Sequence, residues 1–194
     1  TSISIAFARS PMSSAMLSWD LQAASDGRFT LGLGSQVKGH NQRRFSVPWS
    51  PPAPRMREYV QSVRAIWDCW AKNVPLNYQG KHYQFSLMTP NFRPDPLKGP
   101  LPKIQIAAVG PIMMKVAAEE CDGVMLHSFC TQKYLIGSIL PKIQLGLDRS
   151  GKKREEFEIS GGGFVATGKN QQDVDAMFEW VRSRVGFYGS TPSY

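Results

Sequence analysis

Val109-Gly110-Pro111 stands where a strand pattern, Lys103-Ile-Gln-Ile-Ala-Ala-Val109, gives way to a helical one over Ile112 to Glu120. A helix that opens on Gly-Pro leaves the N–H groups of Ile112 and Met113 unpaired at its positive dipole end, an arrangement that suits a phosphate. A routine turn is the plain alternative, since every strand–helix unit has some helix N-terminus. His127 and Ser128 directly follow a second strand pattern, Val124-Met-Leu126, which puts an imidazole at the end of a strand. There it could touch phosphate or substrate, or serve structure alone. His40, on a polar segment, is the candidate acid or base, because imidazole titrates near neutrality. An exposed loop histidine is otherwise passive. Gly32, Gly34 and Ser35 end another strand, where the lack of a Cβ lets a ring or side chain approach the backbone, or where glycine marks a simple turn. Cys69, Cys121 and Cys130 are widely spaced and fit neither a disulfide framework nor a paired Cys-x-x-Cys metal site. No metal site is expected, and a reducing, cytoplasmic setting is.

The elements that must position these residues follow from periodicity. Ile3 to Phe7 is short, β-branched and apolar; Ser10 then caps a helix with Pro11 at its first position. Met12, Ala15, Met16, Trp19 and Ala23 mark its buried face, and Asp26-Gly27 stops it before the strand Phe29 to Leu33. The polar, Gly- and Pro-punctuated run from Gly34 to Pro54 is long for a connection and reads as a functional loop. Helical spacing resumes through Met56, Tyr59, Val60, Val63, Ile66, Trp67 and Trp70, and Leu76 to Phe85 forms a hairpin around Gly80. After the strand to Val109 and its helix, Asp122-Gly123 turns into the strand at Val124. A helix is expected over Thr131 to Leu147, a fifth strand over Phe157 to Val165, and a last amphipathic pattern through Val174, Met177, Phe178, Val181 and Val185, ending near Gly186. Five strands alternating with five helices argue for a parallel α/β architecture, either a barrel or an open doubly wound sheet. No Gly-x-Gly-x-x-Gly opens the first helix, which weakens the dinucleotide fold. His82 and the aromatic residues Trp67, Trp70, Tyr78, Tyr83 and Phe85 read as structural.

At 194 residues and 42% hydrophobic, the chain can bury a sizeable core, and no apolar run approaches a membrane span. Its net charge of +8 would suit an anionic partner such as phosphate, polyglutamate or nucleic acid, but the basic residues are dispersed. No zinc-finger, RNP or basic-helix pattern organises them, so nucleic acid is not an expected partner and neither is a membrane.

The series Thr1-Ser-Ile, Arg9-Ser-Pro11, Gly27-Arg-Phe-Thr-Leu-Gly-Leu-Gly34, Tyr78-x-Gly-x-x-Tyr83-x-Phe85, Ala107-Ala-Val-Gly-Pro111 and Cys121-Asp-Gly-Val124 resembles the luciferase-like monooxygenase superfamily. It is most similar to the actinobacterial-type oxidoreductases that use deazaflavin coenzyme F420. The resemblance covers nearly the whole chain, with the motifs in family order. It implies a TIM (β/α)8 barrel, of which 1–194 is a single domain cut at both ends. About strands 3 to 7 are present, with 35–55 and 76–102 as excursions from the barrel. A complete barrel takes about 250 residues. The resemblance also implies a non-prolyl cis peptide at Ser2-Ile3 supporting the cofactor ring. It makes Ser35 and Gln36 polar contacts near Gly34, and lays the cofactor's phosphate side on Val109, Gly110, Pro111, Ile112 and Met113. The activity implied is hydride transfer between F420 and a small organic substrate; the alternative is an FMN-dependent monooxygenase. A second alternative is an incomplete, non-catalytic barrel that binds ligand or pairs with itself as a homodimer through unpaired sheet edges.

Overall fold

Parallel strands cannot be joined by tight turns, so each crossover must carry the chain back along the sheet, and here helices do so. The computed structural model describes residues 1–191. In chain order its main elements are β1 (Ser4–Ile5), α1 (Pro11–Ala24), β2 (Thr30–Gly34), α2 (Lys38–Arg43), α3 (Pro52–Lys72) and the hairpin β3 (Tyr78–Gln79) and β4 (Gln84–Phe85). Then come β5 (Lys103–Ala108), α4 (Pro111–Glu120), β6 (Gly123–Leu126), α5 (Gln132–Tyr134), a π turn (Leu135–Ile139), α6 (Leu140–Ser150), β7 (Glu158–Ser160) and α7 (Gln171–Gly189). No helix among the described residues is long and apolar enough to cross a membrane.

The main sheet has the order β1-β2-β5-β6-β7, and every neighbouring pair is parallel. Each new strand adds beside the last on the same side. A doubly wound sheet would reverse its strand order at a switch point, and this one does not. The register runs through Ser4, Leu33, Ile106, Val124 and Ile159 as one row. Leu33, Ile106 and Val124 are fully buried in a core shared with Met56, Tyr59, Val63, Ile66 and Trp67 of α3. The row alongside, Gly32, Gln105, Gly123 and Glu158, faces the other way.

α1 starts as its cap predicts: Ser10 Oγ accepts from Met12 N at 3.2 Å, with Pro11 in the first turn. Its buried face differs from the expected one. Ala15 and Trp19 are inside, but with them go Ser14, Ser18 and Gln22, while Met16 is 54% exposed and Ala23 lies on the surface. The polar residues can be buried because each has partners. Ser14 Oγ pairs with Tyr59 OH at 2.6 Å and Ser18 Oγ donates to Ser14 O at 2.5 Å. Gln22 donates to Pro100 O and accepts from Phe29 N. The expected helix over 131–147 is interrupted by the π turn just before Pro141, whose missing N–H and bulky ring forbid a regular turn there. The fifth strand stops at Ser160 rather than Val165, since Gly161 takes φ +138 and leaves the extended region. In α7 no residue is buried; Met177, Phe178 and Val185 are exposed, so its apolar stripe does not join the core.

One residue, through its side chain and its backbone, joins three strands at the N-terminal end of the sheet. Asp122 Oδ2 accepts from Ile104 N at 2.7 Å and from the Arg64 guanidinium at 3.0 Å. Its backbone N donates to Ile104 O and its carbonyl accepts from Glu158 N. Gly123 follows because a Cβ there would stand 2.6 Å from Glu158 O. Asp122→Ala strands the Ile104 N–H and the Arg64 charge, and should cost about 2 kcal/mol in urea unfolding. A loss below about 0.5 kcal/mol, the range of an ordinary surface change, would show that the carboxylate does not hold this end.

Candidate functional site

All five strands point the same way, so their C-terminal ends form one rim, and the strand pairing sets which residues are neighbours there. Ile5 pairs with Gly34, Leu33 with Ile106, Ala108 with Leu126 and Met125 with Ser160. Ser35, Val109-Gly110, His127 and Gly161 therefore follow one another along the rim. The predicted residues Gly34, Ser35, Val109, Gly110 and His127 are brought to one edge.

Gly110 caps α4 with φ −80 and no side-chain hydrogen bond. It is exposed, and a Cβ added to it would meet nothing within 4 Å. Neither backbone conformation nor packing requires glycine, so its bareness leaves open space against the helix end. Intrahelical bonding begins with Met114 N to Gly110 O at 3.1 Å. The N–H groups of Ile112 and Met113 precede it and have no helical carbonyl to reach. Pro111 and Ile112 are exposed and Met113 is partly buried. Beside this turn lies a cavity of about 140 Å³ whose lining includes Val109, Pro111, Ser138 and Lys142. Ser138 and Lys142 carry no motif and fall in the helical run after Thr131, so only the fold reveals that they approach the Gly110 turn.

Ser2 and Ile3 are exposed, and the peptide bond between them is cis. They lie against β2: Thr1 Oγ1 bonds to Gly32 at 3.1 Å, and a Cβ on Gly34 would overlap the Ile3 side chain. The two glycines thus admit the chain's own first segment, a use the sequence does not show.

His127 is half-buried. Its Nδ1 accepts from Phe129 N at 3.0 Å, and the Tyr188 ring stands edge-on at 4.3 Å. Acceptance at Nδ1 places the proton of the neutral ring on Nε2. Burial lowers the imidazole below its ordinary value of 6.5. At neutral pH the ring is therefore a neutral polar group, not a cation. Tyr188 also stacks on Phe164 at 6.2 Å, so the end of α7 returns to the rim although the helix itself stays outside the core.

His40 is exposed on α2 and, among the described residues, its imidazole has no hydrogen-bonded partner to orient it. A general acid or base needs such positioning, and the structure does not supply it here. At the β1 end of the rim, Arg55 lies 4.5 Å from the Phe7 ring centroid and donates to Tyr83 OH at 3.0 Å and Pro48 O at 3.2 Å. It ties the 45–54 segment and the hairpin to β1.

A singly wound parallel α/β sheet with a glycine-opened helix end on its C-terminal rim defines the class of the fold. Residues 1–192 match the model of the luciferase-like monooxygenase family, and the chain belongs to that family. It is 44% identical over its whole length to an uncharacterized Mycobacterium tuberculosis protein, of which it covers 57%. It is 33% identical over 174 residues, 82% of this chain and 47% of the other, to an M. tuberculosis protein named as a coenzyme F420-dependent oxidoreductase. The coenzyme F420-dependent tetrahydromethanopterin reductase of Methanopyrus kandleri has the same fold. It superposes with a TM-score of 0.75 at 22% identity over 98% of this chain and 56% of that one. The chain spans about half the length of the curated relatives it matches.

Because the folded-state pKa of His127 lies below the unfolded one, the neutral ring favours folding above pH 6.5, and that contribution is lost as pH falls through the folded value. An NMR titration of the His127 ring should show a midpoint below 6.5. A midpoint at or above that value would contradict the buried, Nδ1-accepting geometry.

Proposed function

We propose that this chain forms part of an F420-dependent oxidoreductase that transfers a hydride between the deazaflavin and a small organic substrate. In this reading it contributes strands 3 to 7 of a (β/α)8 barrel. The observation that carries the reading is the open turn at Gly110, where two backbone donors without helical acceptors follow an uncovered glycine at the rim on which barrel enzymes bind their ligands. The 33% identity to a protein named for coenzyme F420 supports this choice of cofactor over FMN.

The residues present fit a phosphate-bearing cofactor. Ile112 and Met113 N–H groups would hold a phosphate at the α4 dipole end, with Lys142 adding charge from the neighbouring cavity. Ser2, Ile3 and Gly34 would bear on the ring side. His127, neutral at pH 7, would offer a dipole without placing a cation beside the ring. The cofactor, when bound, supplies the hydride chemistry, and the protein supplies binding and orientation.

Fluorescence titrations with F420 and with FMN test this reading. Saturable F420 binding with little or no FMN binding is expected; tight FMN binding without F420 binding would instead favour the flavin monooxygenase. Gly110→Val fills the open space without touching packed atoms. It should cost no more than about 1 kcal/mol of stability, the loss of a favoured N-cap residue, and weaken F420 binding at least about tenfold, or 1.4 kcal/mol. Unchanged affinity would remove Gly110 from the cofactor site.

A further inference from the structure

Between Asp26 and Glu58 the sequence contains no acidic residue, while Arg28, Lys38, Arg43, Arg44, Arg55 and Arg57 are basic. Three of these have evident positions elsewhere. Arg57 pairs with Glu119 and Glu120, Arg55 lies over Phe7, and Arg28 precedes β2 at the opposite end from the rim. Lys38, Arg43 and Arg44 gather with His40 on and just after α2. Among the described residues none of the three forms an ion pair with a carboxylate.

This loop is held in place. Asn41 is fully buried, and its Nδ2 donates to the carbonyls of Ser35 at 2.9 Å, Gln36 at 3.3 Å and Val37 at 3.2 Å. Its backbone carbonyl accepts from Val47 N at 2.8 Å. α2 is thereby anchored to the C-terminal end of β2. Val37, Gly39, His40, Arg43 and Arg44 line a solvent-open cavity of about 370 Å³. Gly39 leaves room for Arg43, since a Cβ there would stand 3.1 Å from the guanidinium nitrogen. Arg44 packs its guanidinium 5.2 Å from the Phe45 ring centroid.

A solvated basic loop is the plain alternative, and the C-terminal end of α2 does favour cations. That account leaves Lys38 at the wrong end of the helix and does not explain why Arg43 and Arg44 both line one concavity. Arg43 and Arg44, whose guanidiniums can each grip an oxyanion with two N–H groups, both line it, and among the described residues neither is paired with a carboxylate. We propose that the cavity binds a carboxylate or phosphoryl group of a ligand whose reacting part lies at the adjacent rim. The inference rests on the functional reading above only in taking that rim as the ligand-bearing end. An anionic substrate and an acidic tail on the cofactor share this chemistry.

Amide NMR titrations of the chain with inorganic pyrophosphate and with triglutamate test the site. Saturable shifts centred on residues 37–45 are expected, and R43Q/R44Q should weaken binding about tenfold, as for a lost charge-assisted pair. The equal charge change in K98Q/K169Q, at exposed positions outside the loop, should leave binding unchanged, and R43K/R44K should restore part of it. Shifts spread over every basic surface, or equal losses in both double variants, would overturn the proposal. Parallel titrations with F420 and with a deazaflavin lacking the acidic tail separate the sources. Loss confined to tailed F420 in R43Q/R44Q assigns the anion to the cofactor. Unchanged F420 affinity beside weakened pyrophosphate binding assigns it to the substrate. Wild-type chain that binds pyrophosphate at the loop but no F420 would sink the cofactor reading and leave this site standing.

Discussion

The Asp122 carboxylate takes the Ile104 N–H and the Arg64 guanidinium, while its backbone joins Ile104 on one side and Glu158 on the other. β5, β6 and β7 are thus locked in register at their N-terminal ends by a single residue. Register matters because side chains alternate across a sheet: a slip of one position would turn Ile106 and Val124 away from α3 and bring Gln105 into the apolar layer. It would also shift which residues meet at the far end. The neighbours on the rim, from Ser35 through Gly110 to His127, inherit their alignment from this constraint.

The two ends of the sheet divide the charges. Around the end of α4, Arg57 pairs with Glu119 and Glu120, Arg64 with Asp122, and Lys152 donates to Cys121 O at 2.7 Å. Cys121 itself is wholly buried, its thiol pushed up to about 12 by desolvation, which suits a packing residue and not a nucleophile. At the rim the arrangement is reversed. Lys38, Arg43 and Arg44 lack carboxylate partners among the described residues, and the α4 N-terminus has no side-chain cap. The ion pairs around α4 therefore lie at the locked end of the sheet, and the three cations of the α2 loop at the other.

Local chemistry was readable wherever it depended on nearest neighbours. Ser10-Pro11, Asp26-Gly27 and Gly110-Pro111 mark real helix boundaries, and the spacing from Met56 to Trp70 marks the buried face of α3. Partners distant in sequence were not readable. Ser14, Ser18 and Gln22 go inside because Tyr59, a helical carbonyl, Phe29 and Pro100 meet them, so apolar periodicity chose Met16 and Ala23 wrongly. The π turn needed Pro141 to be weighed against an otherwise good helical pattern. The rim residues with motifs were found, whereas Ser138 and Lys142, and the gathering of Arg43 with Arg44 around a cavity, needed the fold.

The glycines of the sheet differ in what surrounds them. Gly32, Gly34 and Gly123 are required by packing, because a Cβ at each would strike Thr1, Ile3 or Glu158. Gly110 has no such neighbour and an ordinary φ of −80; it stands at the helix N-cap, where glycine is favoured over alanine or valine. Openness alone does not mark a ligand, since Gly99 and Gly186 are equally open and lie in a loop and within α7. What distinguishes Gly110 is its company: donors without helical acceptors on one side, a cavity reached by Lys142 on the other, and a strand end underneath. N-cap preference accounts for glycine at this position, and its lack of a side chain leaves the donors of the first turn uncovered on the rim.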